Sequence, residues 1–139
     1  MSLARRVLMV EDEAALREVL AEYLRAEGFD VDLAVNGVEA LRMARQSTPD
    51  VLILDVNMPV LDGVAVLETW TADADLGAVP VVLVSATPSL SRLATQFGVR
   101  ASLAKPFDLD VLVAVIEQAL AHPEAPPNAP TVGPENSLT

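Results

Sequence analysis

Cysteine is absent from this 139-residue chain, which rules out a disulfide framework and a thiolate nucleophile. The simplest compartment for such a chain is the cytoplasm. Histidine occurs once, at His122 in a proline-rich C-terminal stretch, so a His-based triad, a multi-His metal site or a phosphohistidine carrier is not expected. Aromatic residues make up only 4% of the chain against 52% hydrophobic residues, so the core has to be built from Ala, Val and Leu. Nine Lys+Arg face 20 Asp+Glu, for a formal net charge of −11, and the cations are scattered singly. No basic stripe is available to neutralise phosphates, so nucleic-acid binding by this chain is not expected. No apolar run approaches the length of a membrane span, and the N-terminus does not read as a secretory signal, so no membrane association is expected. One scarcity is informative in itself. Lys105 is the only lysine, every other cation being arginine.

The length suits a single domain with a real core, and the patterning alternates regularly. Val7–Val10 reads as a buried strand that ends in Glu11-Asp12-Glu13. Leu16, Leu20, Tyr23 and Leu24 then mark one face of a helix over Ala14–Glu27, with Gly28 placed to close it. Val31–Val35 alternates, as expected of a strand nearer the sheet edge. Asn36 and Glu39 form a capping-box pattern ahead of a helix over Gly37–Gln46. Val51-Leu52-Ile53-Leu54 is a continuous apolar run, the signature of a strand buried on both faces, and it stops at Asp55. Asp62-Gly63 is read as opening a third helix, about Val64 to Ala72, followed by a polar loop over residues 73–77. Val81–Val84 is another buried strand, ending at Ser85-Ala86. A short helix from Leu90 to Phe97 is closed by Gly98. Ala101–Ala104 forms a weak fifth strand ending at Lys105-Pro106, and Asp108 caps a last helix. Five strand–helix alternations define an α/β fold with a parallel sheet.

From His122 onward the composition changes, with prolines at 123, 126, 127, 130 and 134 and little apolar surface. The expected division is therefore a folded domain over residues 1–121. Residues 122–139 are expected to form a Pro-rich disordered tail or a linker to something further.

In a parallel sheet all strand carboxyl ends lie on one rim, where open α/β sheets keep their ligand sites. Glu11-Asp12, Asp55, Ser85 and Lys105 then converge if their strands are neighbours. Clustered carboxylates repel and raise one another's pKa unless a cation joins them. A divalent ion with oxygen ligands resolves the conflict, and Mg²⁺ suits one or two carboxylates with waters and a phosphate. Asp55 supplies a nucleophilic carboxylate able to form an acyl phosphate. The metal and the Lys105 ammonium offset charge on phosphoryl oxygens, while Ser85 and the backbone N–H of Ala86 supply donors. No residue stands as a strong general base, so activity toward ordinary phosphomonoesters is not expected. Each residue also has a plainer reading. Glu11, Asp12 and Glu13 suit an acidic first helical turn, Asp55 and Ser85 suit turns, and Trp70, Phe97 and Phe107 suit packing.

Taken together, Glu11-Asp12, Asp55 in Leu-Asp-Val-Asn-Met-Pro, Asp62-Gly63, Ser85-Ala86 and Lys105-Pro106-Phe107 resemble the receiver domain of two-component response regulators. The likeness runs from about Arg6 to Ala121. It implies a doubly wound five-stranded parallel sheet of order 2-1-3-4-5, flavodoxin/CheY-like, with a cis Lys105–Pro106 bond. It further implies that Asp55 accepts a phosphoryl group from a sensor histidine kinase or phosphotransfer protein. Mg²⁺ would be held by Asp12, Asp55 and the backbone carbonyl of Asn57, with Glu11 acting through water. The acyl phosphate would be hydrolysed by an in-line water near the Asn57 side chain. Signalling would pass by conformational change to a downstream protein or an output domain, and homodimerisation is compatible with the pattern.

Two departures stand out. Receivers usually carry an aromatic residue three positions before the lysine, and here that position is Ser102. The segment from Ser85 to Lys105 is also shorter than usual, with Pro88 in it, so the fourth helix is expected to be short or displaced. Switching and partner contacts are accordingly expected to depart from the family while the phosphorylation pocket stays complete. Two other functions are set beside this one. A pseudo-receiver would keep the fold as a phosphorylation-independent interaction module, which the complete pocket argues against. A haloacid-dehalogenase-type phosphatase wants Asp-x-Asp, and the second position here is Asn57.

Overall fold

The computed structural model describes residues 5–55, 60–86 and 90–121. Five strands form one sheet, β1 (Arg6–Val10), β2 (Asp30–Ala34), β3 (Val51–Asp55), β4 (Val81–Ser85) and β5 (Ala101–Ala104). All are parallel, in the order β2-β1-β3-β4-β5 expected from the resemblance. Five α-helices connect or follow them, α1 (Ala14–Ala26), α2 (Gly37–Gln46), α3 (Val60–Ala72), α4 (Leu90–Phe97) and α5 (Leu109–Ala121).

The handedness of the connections explains the layers. The chain steps from β1 to one side for β2, then back across to β3, and each crossover is constrained to be right-handed. Reversing direction therefore puts α1 and α2 on opposite faces of the sheet. Strand side chains alternate between those faces. On one face Val7, Met9, Ile53 and Val84 pack with Leu20 and Leu24 of α1 and Leu112 and Ile116 of α5. On the other, Leu8, Val10, Leu52, Leu54 and Leu83 pack with Ala40 and Ala44 of α2 and Leu67 and Trp70 of α3. The central strands β3 and β4 are buried along their whole length, as their unbroken apolar runs require, whereas β2 alternates at the edge.

Local signals place the helix ends. The Asn36 side chain accepts a 2.8 Å hydrogen bond from the Glu39 N–H, and the Glu39 carboxylate accepts one of 3.0 Å from the Val35 N–H. The capping pair thus closes on the residue before the cap. Gly28 follows α1 with φ of 99°, a conformation that favours glycine, and Gly98 follows α4 with φ of 63°. Asp108 precedes α5 and offers its carbonyl to the N–H groups of Val111 and Leu112.

Three boundaries differ from the sequence reading. Helix α3 begins at Val60, so Asp62-Gly63 lies inside it instead of opening it. Glycine disfavours a helix interior by about 1 kcal/mol, but the buried Val66, Leu67 and Trp70 anchor this helix through tertiary packing that overrides the cost. Strand β2 begins at Asp30, whose N–H donates to the Arg5 carbonyl at 2.9 Å and so joins the ladder early. The polar loop after α3 carries a 3₁₀ turn at Leu76–Ala78, nucleated by the Asp73 carboxylate accepting from the N–H groups of Asp75 and Leu76. The described part of α4 is eight residues, Leu90–Phe97. The Asn57 and Pro88 readings and the tail from His122 lie outside the described residues.

Trp70 is fully buried, with its indole N–H 3.4 Å from the Val79 carbonyl. Trp70→Ala is expected to cost about 3–5 kcal/mol, through a large cavity and an unpaired acceptor. Asn36→Ala, which removes one exposed cap, is expected to cost about 1 kcal/mol. Urea unfolding of both variants checks the contrast, and equal losses would contradict this account of the core.

Candidate functional site

The direction reversal between β1 and β3 leaves a crevice at the carboxyl ends of these adjacent strands. Glu11 follows β1 directly and Asp55 is the last residue of β3, so both side chains are delivered there by strand registration alone. Glu11 is 2% exposed and Asp55 1%, an unusual degree of burial for carboxylates. Asp12, one residue further, is exposed. Carboxylate oxygens of Glu11, Asp12 and Asp55 all lie within 4.8 Å of one another, an all-oxygen group able to hold a metal ion.

Lys105 reaches the same point from the end of β5. Its Nζ donates to Asp55 Oδ2 at 2.9 Å and to Glu11 Oε1 at 3.3 Å. The Lys105 backbone N–H donates to the Ser85 carbonyl at 2.8 Å, tying the ends of β4 and β5 together. The Lys105–Pro106 bond is cis, as the resemblance implied. Ser85 is completely buried at the end of β4, and Ala86 is exposed just beyond it. Six of the seven residues singled out from the sequence, Glu11, Asp12, Asp55, Ser85, Ala86 and Lys105, lie at the carboxyl ends of their strands on one rim. Asn57 lies outside the described residues. Ser102 is half-buried in β5 opposite Leu83, while Phe97 and Phe107 pack against the cores, and Trp70 sits within one.

The charge balance is uneven, with three carboxylates against one ammonium. Burial, and then the hydrogen bond and negative charge of Asp55, push the Glu11 carboxyl up from 4.5 to about 7. Lys105 and the Glu13 N–H pull the other way and do not prevail. Burial also works against the Lys105 ammonium, but Asp55 and then Glu11 outweigh it and hold the lysine above its ordinary value. The carboxylate group could hold a cation, and hard oxygen donors suit a hard divalent ion.

One contact was not anticipated. Arg17 of α1 donates from Nη1 to the Glu11 backbone carbonyl at 2.8 Å. The available signal was a cation in the first turn of a helix, where the dipole disfavours positive charge unless a partner compensates it.

With the geometry in place, the comparisons agree on the family. Residues 7–117 match the response regulator receiver domain model, and the chain belongs to that family of two-component signalling proteins. It is 45% identical over 118 residues to the transcriptional regulatory protein PrrA of Mycobacterium tuberculosis, covering 83% of this chain and 49% of that protein. The chain thus spans about half the length of the curated relatives it matches. Among solved structures, the chemotaxis response regulator CheY4 of Vibrio cholerae superposes with a TM-score of 0.77 at 28% identity, over 84% of this chain and 99% of that one. A putative response regulator from Chloroflexus aurantiacus gives a TM-score of 0.78 at 30% identity, over 85% and 98%. Among the described residues no helix is long and apolar enough to cross a membrane.

The raised Glu11 pKa carries a stability consequence with a definite sign. Because the folded value of about 7 exceeds the ordinary 4.5, its contribution is fully present below pH 4.5 and is lost as pH rises through 7. In metal-free buffer, Glu11→Gln is expected to leave stability near pH 5 almost unchanged. At pH 8 it should raise stability by on the order of 2 kcal/mol. Denaturant titrations of both proteins from pH 5 to 8 check this, and parallel curves would contradict the charge-crowding account.

Proposed function

We propose that Asp55 is the phosphoacceptor of this receiver domain, taking a phosphoryl group from a sensor histidine kinase or phosphotransfer protein. The observation that carries the reading is the buried Asp55 carboxylate, 2.9 Å from the only lysine and grouped with Glu11 and Asp12 at the strand ends. An Asp55 carboxylate oxygen attacks phosphorus, the phosphorus–nitrogen bond of the donor breaks, and the imidazole leaves with the bonding electrons. The product is an acyl phosphate.

Lys105 holds the carboxylate in place and its ammonium offsets charge on the phosphoryl oxygens. The Ser85 hydroxyl and the Ala86 N–H donate to those same oxygens. Asp12, Asp55 and the Asn57 carbonyl, with Glu11 through water, would hold Mg²⁺, which when bound supplies further neutralisation of phosphoryl charge. Water later attacks phosphorus and breaks the bond to Asp55, restoring the carboxylate. The chemistry is self-phosphorylation and self-dephosphorylation within a signalling protein of the cytoplasm.

The phosphorylated form acts on a downstream protein or on an output domain joined through the tail. The PrrA relative, a transcriptional regulatory protein of about twice this span, supports the second option. Ser102 stands where an aromatic residue usually moves, so conformational signalling here runs without a ring at that position.

Incubation with Mg²⁺ and acetyl phosphate, followed by intact-mass measurement, tests the reading. The wild type should gain one phosphoryl group, and neither Asp55→Asn nor the wild type in chelator should gain it. Phosphorylation of Asp55→Asn to the wild-type extent would overturn the assignment. A wild type that takes no phosphoryl group and shows no Mg²⁺ affinity would favour a phosphorylation-independent interaction module.

A further inference from the structure

We infer that Arg17 is a positioning residue for the acidic pocket, fixing the Glu11–Glu13 turn so that Glu11 and Asp12 meet a divalent cation together with Asp55. The inference rests on the metal-assisted reading of the site above and adds to it the residue that holds the turn in shape.

The turn has few other restraints. Glu13 occupies the cap position of α1 but makes no side-chain capping bond. Among the described residues, the exposed Asp12 carboxylate takes no hydrogen bond or ion pair, so its place depends on the backbone that carries it. That backbone is pinned at Glu11 from two directions. The Glu11 N–H reaches the Ala34 carbonyl of β2 at 3.3 Å, and the Glu11 carbonyl accepts from Arg17 at 2.8 Å. The Glu13 N–H closes the turn onto Glu11 Oε2 at 3.3 Å. Of these, the Arg17 contact is the shortest and the only one with a charged donor, which makes it the firmest tie.

The placement of Arg17 argues the same way. Its own N–H bonds to the Glu13 carbonyl at 2.9 Å, so the residue sits in the first turn of α1 and its half-buried side chain folds back toward β1. A cation there opposes the helix dipole. It also stands beside the pocket in which Glu11 and Asp12 are to receive a positive ion. On charge alone, Arg17 weakens cation binding. A positioning role gives the opposite sign, and the two are separable by experiment.

The test compares wild type, Arg17→Ala and Arg17→Lys for Mg²⁺ affinity by calorimetry, and for phosphorylation by acetyl phosphate across a Mg²⁺ series. Loss of positioning in Arg17→Ala should raise the Mg²⁺ Kd by about 10-fold, as removing an outer partner of a metal ligand typically does. Its phosphorylation rate at saturating Mg²⁺ should stay within about twofold of wild type, because binding energy lost equally in ground and transition states does not change the maximal rate. Arg17→Lys, which keeps a charged donor on a less rigid stem, should fall between the two. Thermal unfolding of each variant identifies the folded fraction, and general destabilisation would lower the maximal rate in place of the affinity. An unchanged or lower Kd in Arg17→Ala, with wild type binding normally, overturns the inference while leaving the proposed function intact. A wild type that binds no Mg²⁺ overturns the metal reading and this inference with it.

Discussion

Three carboxylates meet one ammonium at the carboxyl rim of the sheet, and much of the fold can be understood as the frame that holds this unequal encounter together. Glu11 and Asp55 are almost fully buried, although burial and the neighbouring Asp55 disfavour the charged form of Glu11. Isolated, such a pair would relax apart or draw in water. Here the apolar strands β1 and β3 are hydrogen-bonded neighbours with unbroken cores on both faces, so separating their ends would disrupt packing that stabilises the whole domain. Lys105, from the far strand β5, bridges the two carboxylates and converts part of the repulsion into attraction. What remains uncompensated appears as a Glu11 carboxyl that keeps its proton up to about pH 7.

The parts of the sequence that carried this site were the strand ends. A continuous apolar run of four residues admits little choice of face or depth, and the residue that follows it must emerge at the rim. Asp55 and Ser85 were legible for that reason, and Lys105 because no other lysine exists to dilute the signal. The helix starts were less legible. Asp62-Gly63 has the local chemistry of a helix opening, yet α3 begins earlier because Trp70 and Leu67 fix its axis against the sheet, a tertiary effect that no window of neighbouring residues contains. The 3₁₀ turn at Leu76–Ala78 depends on the side chain of Asp73 bonding forward, where composition suggested only a polar loop. Arg17 escaped for another reason. Its partner is a backbone carbonyl, and a carbonyl has no residue type by which a sequence could advertise it.

Strand order was also less determined by patterning than the strands themselves. Five alternations specify a parallel α/β sheet, but not on which side of β1 the second strand lies. The order 2-1-3-4-5 came from the joint resemblance, and the structure has it. The chemistry depends on that order. With β1 and β3 adjacent, Glu11 and Asp55 share one crevice, whereas a strand inserted between them would move the carboxylates apart by about 5 Å for the extra strand spacing.

The same bridge that stabilises the resting site also couples charge to shape. Lys105 holds β5 to both β1 and β3 through its side chain, and its backbone N–H holds β5 to the Ser85 carbonyl at the end of β4. On the proposed reading, a phosphoryl group on Asp55 would compete with Glu11 for the lysine. Any such redistribution acts on the ends of β4 and β5 at once, because one hydrogen bond joins them. Helix α4 packs on β4 and β5 at that edge, and within β5 Ser102, opposite Leu83, is too small to fill the volume of a ring. The Lys105 N–H to Ser85 carbonyl bond is the backbone link between the rim and this edge. The packing differs along the sheet: β5 is four residues long and partly exposed, whereas β3 and β4 are buried throughout.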